Sequence, residues 1–131
     1  MAQARPFDGF ILVVEDDAII RSNATDTLEG AGYLVLSAEN AGEAVALLKS
    51  RSDIDVIFSD IRMPGAMDGF GLAAMVTDRW PPIGIVLTSG TAGPSDANLA
   101  KRVRFILKPY TETQLLQEIQ GCIAERSTHR T

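Results

Sequence analysis

Acidic residues, a threonine and a lysine stand directly after short apolar segments of this sequence. In chain order they are Glu15, Asp16 and Asp17 after residues 10–14, Asp60 after 56–59, Thr88 after 83–87, and Lys108 after 105–107. If the segments are neighbouring parallel strands, these residues meet at the carboxyl edge of one sheet, where open α/β sheets bind ligands. Crowded carboxylates repel one another unless a cation lies between them, and Mg²⁺ prefers such oxygen ligands. A metal, a spare carboxylate, a hydroxyl and an ammonium together suit phosphoryl transfer.

The rest of the sequence alternates between apolar strands and amphipathic helices. The predicted strands are 10–14, 33–37, 56–59, 83–87 and 104–107, and the predicted helices are 18–31, one that begins after Asn40, 70–79, 95–101 and one that begins after Thr111. This alternation predicts a doubly wound α/β fold, with a five-stranded parallel sheet and helices on both faces. The flavodoxin-like strand order 2-1-3-4-5 places strands one and three side by side, so Glu15, Asp16 and Asp60 become neighbours.

Residues that cap helices mark the predicted helix ends. Asp17 is interpreted as a cap that accepts hydrogen bonds from free N-terminal amides, rather than as a third metal ligand. Asp68 is interpreted as a residue that holds the turn before Gly69 or caps the third helix, rather than as part of the site. A capping residue followed three positions later by Glu or Gln occurs twice, at Asn40 with Glu43 and at Thr111 with Gln114. Gly32 stands where the first helix needs a left-handed residue after its end.

Composition limits the classes of protein to which the chain can belong. Its 131 residues and 46% apolar content suit one compact domain with a single core. The formal net charge of −5 argues against nucleic-acid binding, which requires clustered Lys and Arg. Cys122, the only cysteine, falls in a helical pattern and is interpreted as a core residue. Without an apolar stretch of about 20 residues or a signal-peptide core, the sequence predicts a soluble, cytoplasmic protein with no membrane partner.

Taken in order, the motifs of this chain resemble the receiver domain of two-component response regulators. They are ILVVEDD at 11–17, DIRMP at 60–64, MDG at 67–69, LTS at 87–89 and LKP at 107–109. Each motif alone is weak, because acidic residues after strands are common, whereas the ordered set at successive strand ends is specific. The resemblance covers residues 8–126 and leaves 1–7 and 127–131 as short tails.

The resemblance implies a phospho-acceptor site that contains a divalent metal. Asp60 would be the phospho-acceptor, becoming an acyl phosphate. Asp16 would bind Mg²⁺ or Mn²⁺ directly, Glu15 directly or through a water, and Asp60 and the backbone carbonyl of Arg62 would add further oxygens. Only that carbonyl of Arg62 is implied as a ligand, not its side chain.

The resemblance also implies residues that contact the phosphoryl group and transmit its presence. Lys108 and Thr88 would each contact a phosphoryl oxygen, and the Lys108-Pro109 peptide bond would be cis. Thr88 and Phe105 would form the switch, although Phe105 lacks the hydroxyl that a tyrosine would offer. Arg62 and Gly90 occupy positions that tune the lifetime of the acyl phosphate.

Two segments depart from the pattern of the family. The loop 64–69 is one residue longer than its most frequent form. The segment between Thr88 and Lys108 is short, so the fourth helix is expected to be reduced or irregular.

The predicted function is that of a stand-alone phosphorylation switch or phosphorelay carrier that catalyses its own phosphorylation and dephosphorylation. Its phosphoryl donor would be a phosphohistidine on a sensor histidine kinase or histidine phosphotransfer protein. Because the chain ends about five residues after the last predicted helix, output would be contact with an unknown downstream protein target.

Two other functions use the same residues differently. A Mg²⁺-dependent phosphohydrolase of the haloacid-dehalogenase type would need a second Asp where Arg62 stands, as general acid and base. A phosphate-independent binding module would be expected to lack one of the site residues, and none is missing.

Overall fold

The computed structural model describes residues 9–90 and 103–130. Its strands are β1 (Phe10–Val14), β2 (Leu34–Ala38), β3 (Ile54–Asp60), β4 (Gly84–Ser89) and β5 (Arg104–Leu107). Its helices within these ranges are α1 (Ala18–Gly30), α2 (Ala41–Ser50), α3 (Gly69–Arg79) and α4 (Glu112–Arg130). The helix predicted over 95–101 lies outside the described residues. In the part of the chain that is described, no helix is long and apolar enough to cross a membrane.

All five strands run parallel in one sheet with the order β2-β1-β3-β4-β5, which confirms the predicted flavodoxin-like topology. The order reverses between β1 and β3, so their carboxyl ends lie side by side at the switch point. Across the sheet, Asp60 of β3 stands in register with Thr88 of β4. The topology therefore brings the predicted site residues to one edge.

The sheet is covered on both faces, as apolar parallel strands require. Alternate residues of β1 point to opposite sides: Leu12 and Val14 pack in the cluster that includes α2 and α3, whereas Ile11 and Val13 pack in the cluster that includes α1 and α4. Cys122 of α4 is buried in the second cluster, which confirms its interpretation as a core residue. The sheet therefore has an apolar core on each face, which holds the strands in position.

The helix starts agree with the predicted caps. The Asp17 carboxylate accepts hydrogen bonds from the amides of Ile19 and Ile20 at 2.9 and 3.0 Å, and that of Asp68 accepts one from Gly71 at 2.9 Å. Before α4 the bonds are reciprocal, from the Thr111 amide to Gln114 Oε1 and from the Gln114 amide to Thr111 Oγ1, at 2.8 and 3.1 Å. The pair before α2 differs, because Glu43 accepts from the Glu39 amide, one residue before the cap Asn40.

Several predicted boundaries are wrong by one or more residues. The first helix ends at Gly30, not at residue 31, because Gly32 takes the left-handed conformation (φ 99°) and reverses the chain. The amide of Tyr33 still bonds the carbonyl of Leu28 at 3.1 Å, so β2 begins at Leu34. The third strand begins at Ile54, where it pairs with Phe10. The last helix continues to Arg130, through most of the predicted tail.

Candidate functional site

Three carboxylates meet where β1 and β3 end. Glu15, Asp16 and Asp60 each offer an oxygen, and these oxygens lie within 4.8 Å of one another. Glu15 and Asp60 are buried, with 5% and 7% of their surface exposed, whereas Asp16 faces solvent. Hard oxygen donors at this spacing, open to solvent on one side, fit a divalent cation such as Mg²⁺ or Mn²⁺.

Lys108 extends into the same cluster from the end of β5. Its Nζ lies 2.7 Å from Asp60 Oδ2 and 3.6 Å from Glu15 Oε1. The backbone holds the lysine in place, since the Lys108 amide donates to the carbonyl of Ser89 at 2.8 Å. The Lys108-Pro109 bond is cis, as predicted. One ammonium thus neutralises part of the charge of three carboxylates.

The Asp60 side chain is held at both oxygens. Oδ2 accepts from Lys108, and Oδ1 accepts from the Arg62 amide at 3.1 Å. The Arg62 side chain is exposed. Its predicted ligation through the backbone carbonyl stays a prediction.

Gly69 packs directly against the backbone of the acceptor strand. Its amide donates to the Ile61 carbonyl at 2.8 Å. A Cβ at this position would lie 2.4 Å from the Asp60 carbonyl oxygen and 2.6 Å from Ile61 Cα, which only glycine avoids. Gly69 was predicted only as part of the loop 64–69. Its close approach to the strand has no local sequence signal beyond the glycine itself.

Glu15 is oriented by neighbours on α1. Its Oε2 accepts from the Asp17 amide at 3.0 Å, and Arg21 Nη1 donates to the Glu15 backbone carbonyl at 2.8 Å. Arg21 also approaches Glu39 at 3.5 Å, so it connects the ends of β1 and β2. Sequence reasoning missed Arg21, whose signal is a single arginine one turn into α1 beside the acidic motif.

Burial and crowding set the charges of the site. Burial raises the pKa of Glu15 from 4.5 to about 7; the Asp17 amide opposes this rise, the charge of Asp60 adds to it, and Lys108 opposes it. Burial acts to lower the pKa of Lys108, but the hydrogen bond and charge of Asp60 outweigh it and raise that pKa overall. Lys108 is therefore cationic at neutral pH, while Glu15 is only partly ionised without a further cation.

Thr88 carries a polar group without a partner. The residue is 2% exposed, and among the described residues its Oγ1 makes no hydrogen bond. A buried hydroxyl without a hydrogen bond lowers the free energy of unfolding by about 1–3 kcal/mol. Such a group in a folded protein therefore indicates a missing partner. A ligand oxygen bound at Asp60 would give this hydroxyl an acceptor.

The remaining predicted residues lie around the cluster. Phe105 is half-buried and packs against the core on the α2 and α3 side, in register with Leu87. Gly90 is exposed, and a Cβ there would meet no atom of the described residues within 4 Å. The roles of Phe105 as a switch and of Gly90 in lifetime stay predictions.

Comparisons with known proteins agree with this geometry. The sequence model of the response regulator receiver domain matches residues 11–120. The protein PilH of Pseudomonas aeruginosa is 32% identical over 119 residues, which cover 87% of this chain and 97% of PilH. The DNA-binding transcriptional regulator NtrC of Salmonella typhimurium is 40% identical over 79 residues, which cover 60% of this chain and 16% of NtrC. This chain therefore matches a small part of NtrC.

A solved structure supports the same assignment. The CheY-like receiver domain protein from Methanospirillum hungatei superposes with a TM-score of 0.83 at 26% identity, over 92% of this chain and 98% of that one. Receiver domains are phospho-acceptor switches, and histidine kinases phosphorylate them. With its family match, its sheet order and its acidic edge in agreement, this chain belongs to the response regulator receiver domain family.

Proposed function

We propose that Asp60 accepts a phosphoryl group from a phosphohistidine in a reaction that requires Mg²⁺. The donor would be a sensor histidine kinase or a histidine phosphotransfer protein. The phosphorylated chain would then signal by contact with a downstream protein or act as a phosphorelay carrier. The observation that carries this proposal is the position of Asp60, 2.7 Å from Lys108 Nζ and in register with Thr88, whose hydroxyl makes no hydrogen bond to the described residues.

The chemistry is a transfer between two nucleophiles. A carboxylate oxygen of Asp60 attacks phosphorus, the bond from phosphorus to the histidine nitrogen breaks, and the nitrogen keeps the electron pair. With a proton on the other ring nitrogen of the phosphohistidine, the products are an acyl phosphate on Asp60 and a neutral imidazole on the donor. A divalent cation bound by Glu15, Asp16 and Asp60 would supply two positive charges to the phosphoryl oxygens.

The protein supplies position and charge for this step. Phosphoryl transfer depends mainly on an aligned nucleophile and on positive charge around the equatorial oxygens. Lys108 would move its hydrogen bond from the Asp60 carboxylate to a phosphoryl oxygen, and Thr88 Oγ1 would donate to another. Both groups are already next to the acceptor, so little reorganisation is needed.

The phosphohydrolase alternative is disfavoured by the residue two positions after Asp60. That position holds Arg62, and an arginine side chain cannot take the role of a general acid and base. A phosphate-independent binding module would be expected to lack one of the site residues. This chain keeps three convergent carboxylates and a lysine paired with Asp60, which disfavours that function.

Intact-mass measurement after incubation with Mg²⁺ and acetyl phosphate tests the proposal. The wild-type protein should gain one phosphoryl group, Asp60→Ala should gain none, and a chelator should abolish the gain. Asp78→Ala, which removes an exposed carboxylate of α3, is the matched control and should behave like wild type. Phosphorylation of Asp60→Ala, or an unchanged rate with chelator, would show that the assignment is wrong.

A further inference from the structure

An aromatic contact joins the strand that carries Asp60 to the turn that carries Lys108. The rings of Phe58 and Tyr110 meet edge to face, with centroids 5.8 Å apart and an interplanar angle of 80°. Phe58 is two residues before Asp60 on β3 and is 3% exposed, and Tyr110 is two residues after Lys108. Edge-to-face ring pairs stabilise a contact beyond the effect of the area they bury.

Contacts at its first and last residues attach the turn 108–110 to the sheet. The Lys108 amide is fixed to the Ser89 carbonyl at 2.8 Å, and Pro109 is exposed. Tyr110 packs against the core cluster that contains Phe58. The ring is half-buried and lines a groove of about 830 Å³ between α1 and α4, whose walls include Ile20 and Leu115. The Tyr110 ring therefore faces open space on one side and contacts Phe58 on another.

We propose that Tyr110 is a positioning residue for Lys108. The lysine side chain is long and flexible, so it does not hold Nζ in place by itself. The distance of 2.7 Å between Nζ and Asp60 Oδ2 therefore depends on the position of the backbone in the turn 108–110. The Ser89 hydrogen bond fixes that turn toward β4, and the Tyr110 ring fixes it toward β3 through Phe58. The inference rests on the proposed role of Lys108 in phosphorylation of Asp60, and it assigns the effect to the aromatic ring rather than to the hydroxyl.

The test compares Tyr110→Leu with Tyr110→Phe. Loss of the ring should slow phosphorylation by acetyl phosphate about tenfold, since small misplacements of reacting groups have large effects on rate. Tyr110→Phe retains the ring and should keep the wild-type rate. A wild-type protein that gains no phosphate would refute the proposed function itself, whereas a phosphorylated wild type with an unchanged Tyr110→Leu variant would refute only the positioning role.

A double-mutant cycle separates positioning from general damage. In a Lys108→Ala background, Tyr110→Leu should have no further effect on rate, because the group it positions is gone. An equal tenfold loss in that background would overturn the proposal. Mg²⁺ affinity, measured by calorimetry without phosphodonor, gives a second readout: a less firmly held ammonium should tighten binding about threefold. Weaker Mg²⁺ binding by Tyr110→Leu would contradict the inference.

The partner side of the ring pair provides a second variant. If Tyr110→Leu does not fold, Phe58→Leu removes the same contact from β3 and should show the same slower phosphorylation and tighter Mg²⁺ binding. A folded Phe58→Leu variant with wild-type values for both would overturn the proposal.

Discussion

At the scale of single residues, the site is an unfavourable arrangement of charges held by the fold. Glu15 and Asp60 are buried side by side, and Lys108 supplies one compensating charge. Burial of a carboxylate without full compensation reduces the stability of the folded state above the normal pKa of that group. The metal-free protein should therefore be less stable than its core alone would allow.

The first prediction concerns Glu15→Gln and pH. The pKa of Glu15 is raised in the folded protein, from 4.5 to about 7, so stability linked to its protonation is fully present below 4.5 and is lost as the pH rises through 7. The substitution removes that loss. In chelator, Glu15→Gln should raise the free energy of unfolding by about 1–2 kcal/mol near pH 8, and by much less near pH 5. Urea unfolding at both values measures this, and a variant less stable than wild type near pH 8 would contradict it.

At the scale of elements, some features of the fold were readable from local sequence and others were not. The caps at Asp17, Asp68 and Thr111 were predictable because a side chain and an amide two or three residues away decide them. The start of β3 at Ile54 was not, since pairing with Phe10 extends the strand. The convergence of Glu15 with Asp60 followed from strand order, whereas the Arg21 and Gly69 contacts depend on tertiary structure.

The second prediction concerns the loop between β3 and α3. Gly69→Ala places a methyl group 2.4 Å from the Asp60 carbonyl oxygen, a backbone atom that cannot move without shifting the acceptor strand. The variant should lose about 1–3 kcal/mol of stability and phosphorylate more slowly than wild type. Gly30→Ala is the control, because no atom of the described residues lies within 4 Å of the added Cβ, and it should be neutral or stabilising. Equal thermal unfolding of Gly69→Ala and wild type would argue against this constraint.

At the scale of the whole molecule, the chain combines an acidic edge with an exposed apolar residue beside it. Ile19 in the first turn of α1 is 73% exposed, and Ser22 and Asn23 are also exposed. We expect a phosphohistidine-bearing helix bundle to contact this end of α1 and the nearby part of α4, with apolar side chains against Ile19.

The third prediction is a separation of two reactions by Ile19→Asp. The substitution should slow phosphoryl transfer from a histidine kinase or phosphotransfer protein about tenfold, because it places a charge in the contact. It should leave phosphorylation by acetyl phosphate unchanged, since the exposed, apolar side chain of Ile19 contributes no group to the acidic cluster. Ser22→Ala, a milder change on the same exposed surface, is the matched control. Equal slowing of both reactions would indicate a damaged fold instead of a lost contact.

The central claim is that Asp60 itself carries the phosphoryl group. Treatment of the phosphorylated protein with borohydride reduces an aspartyl phosphate to homoserine, and peptide mass spectrometry then locates the altered residue. We expect homoserine at position 60, formed only when Mg²⁺ and phosphodonor are both present. Homoserine at another aspartate, or a phosphorylated protein in which position 60 remains aspartate after reduction, would contradict it.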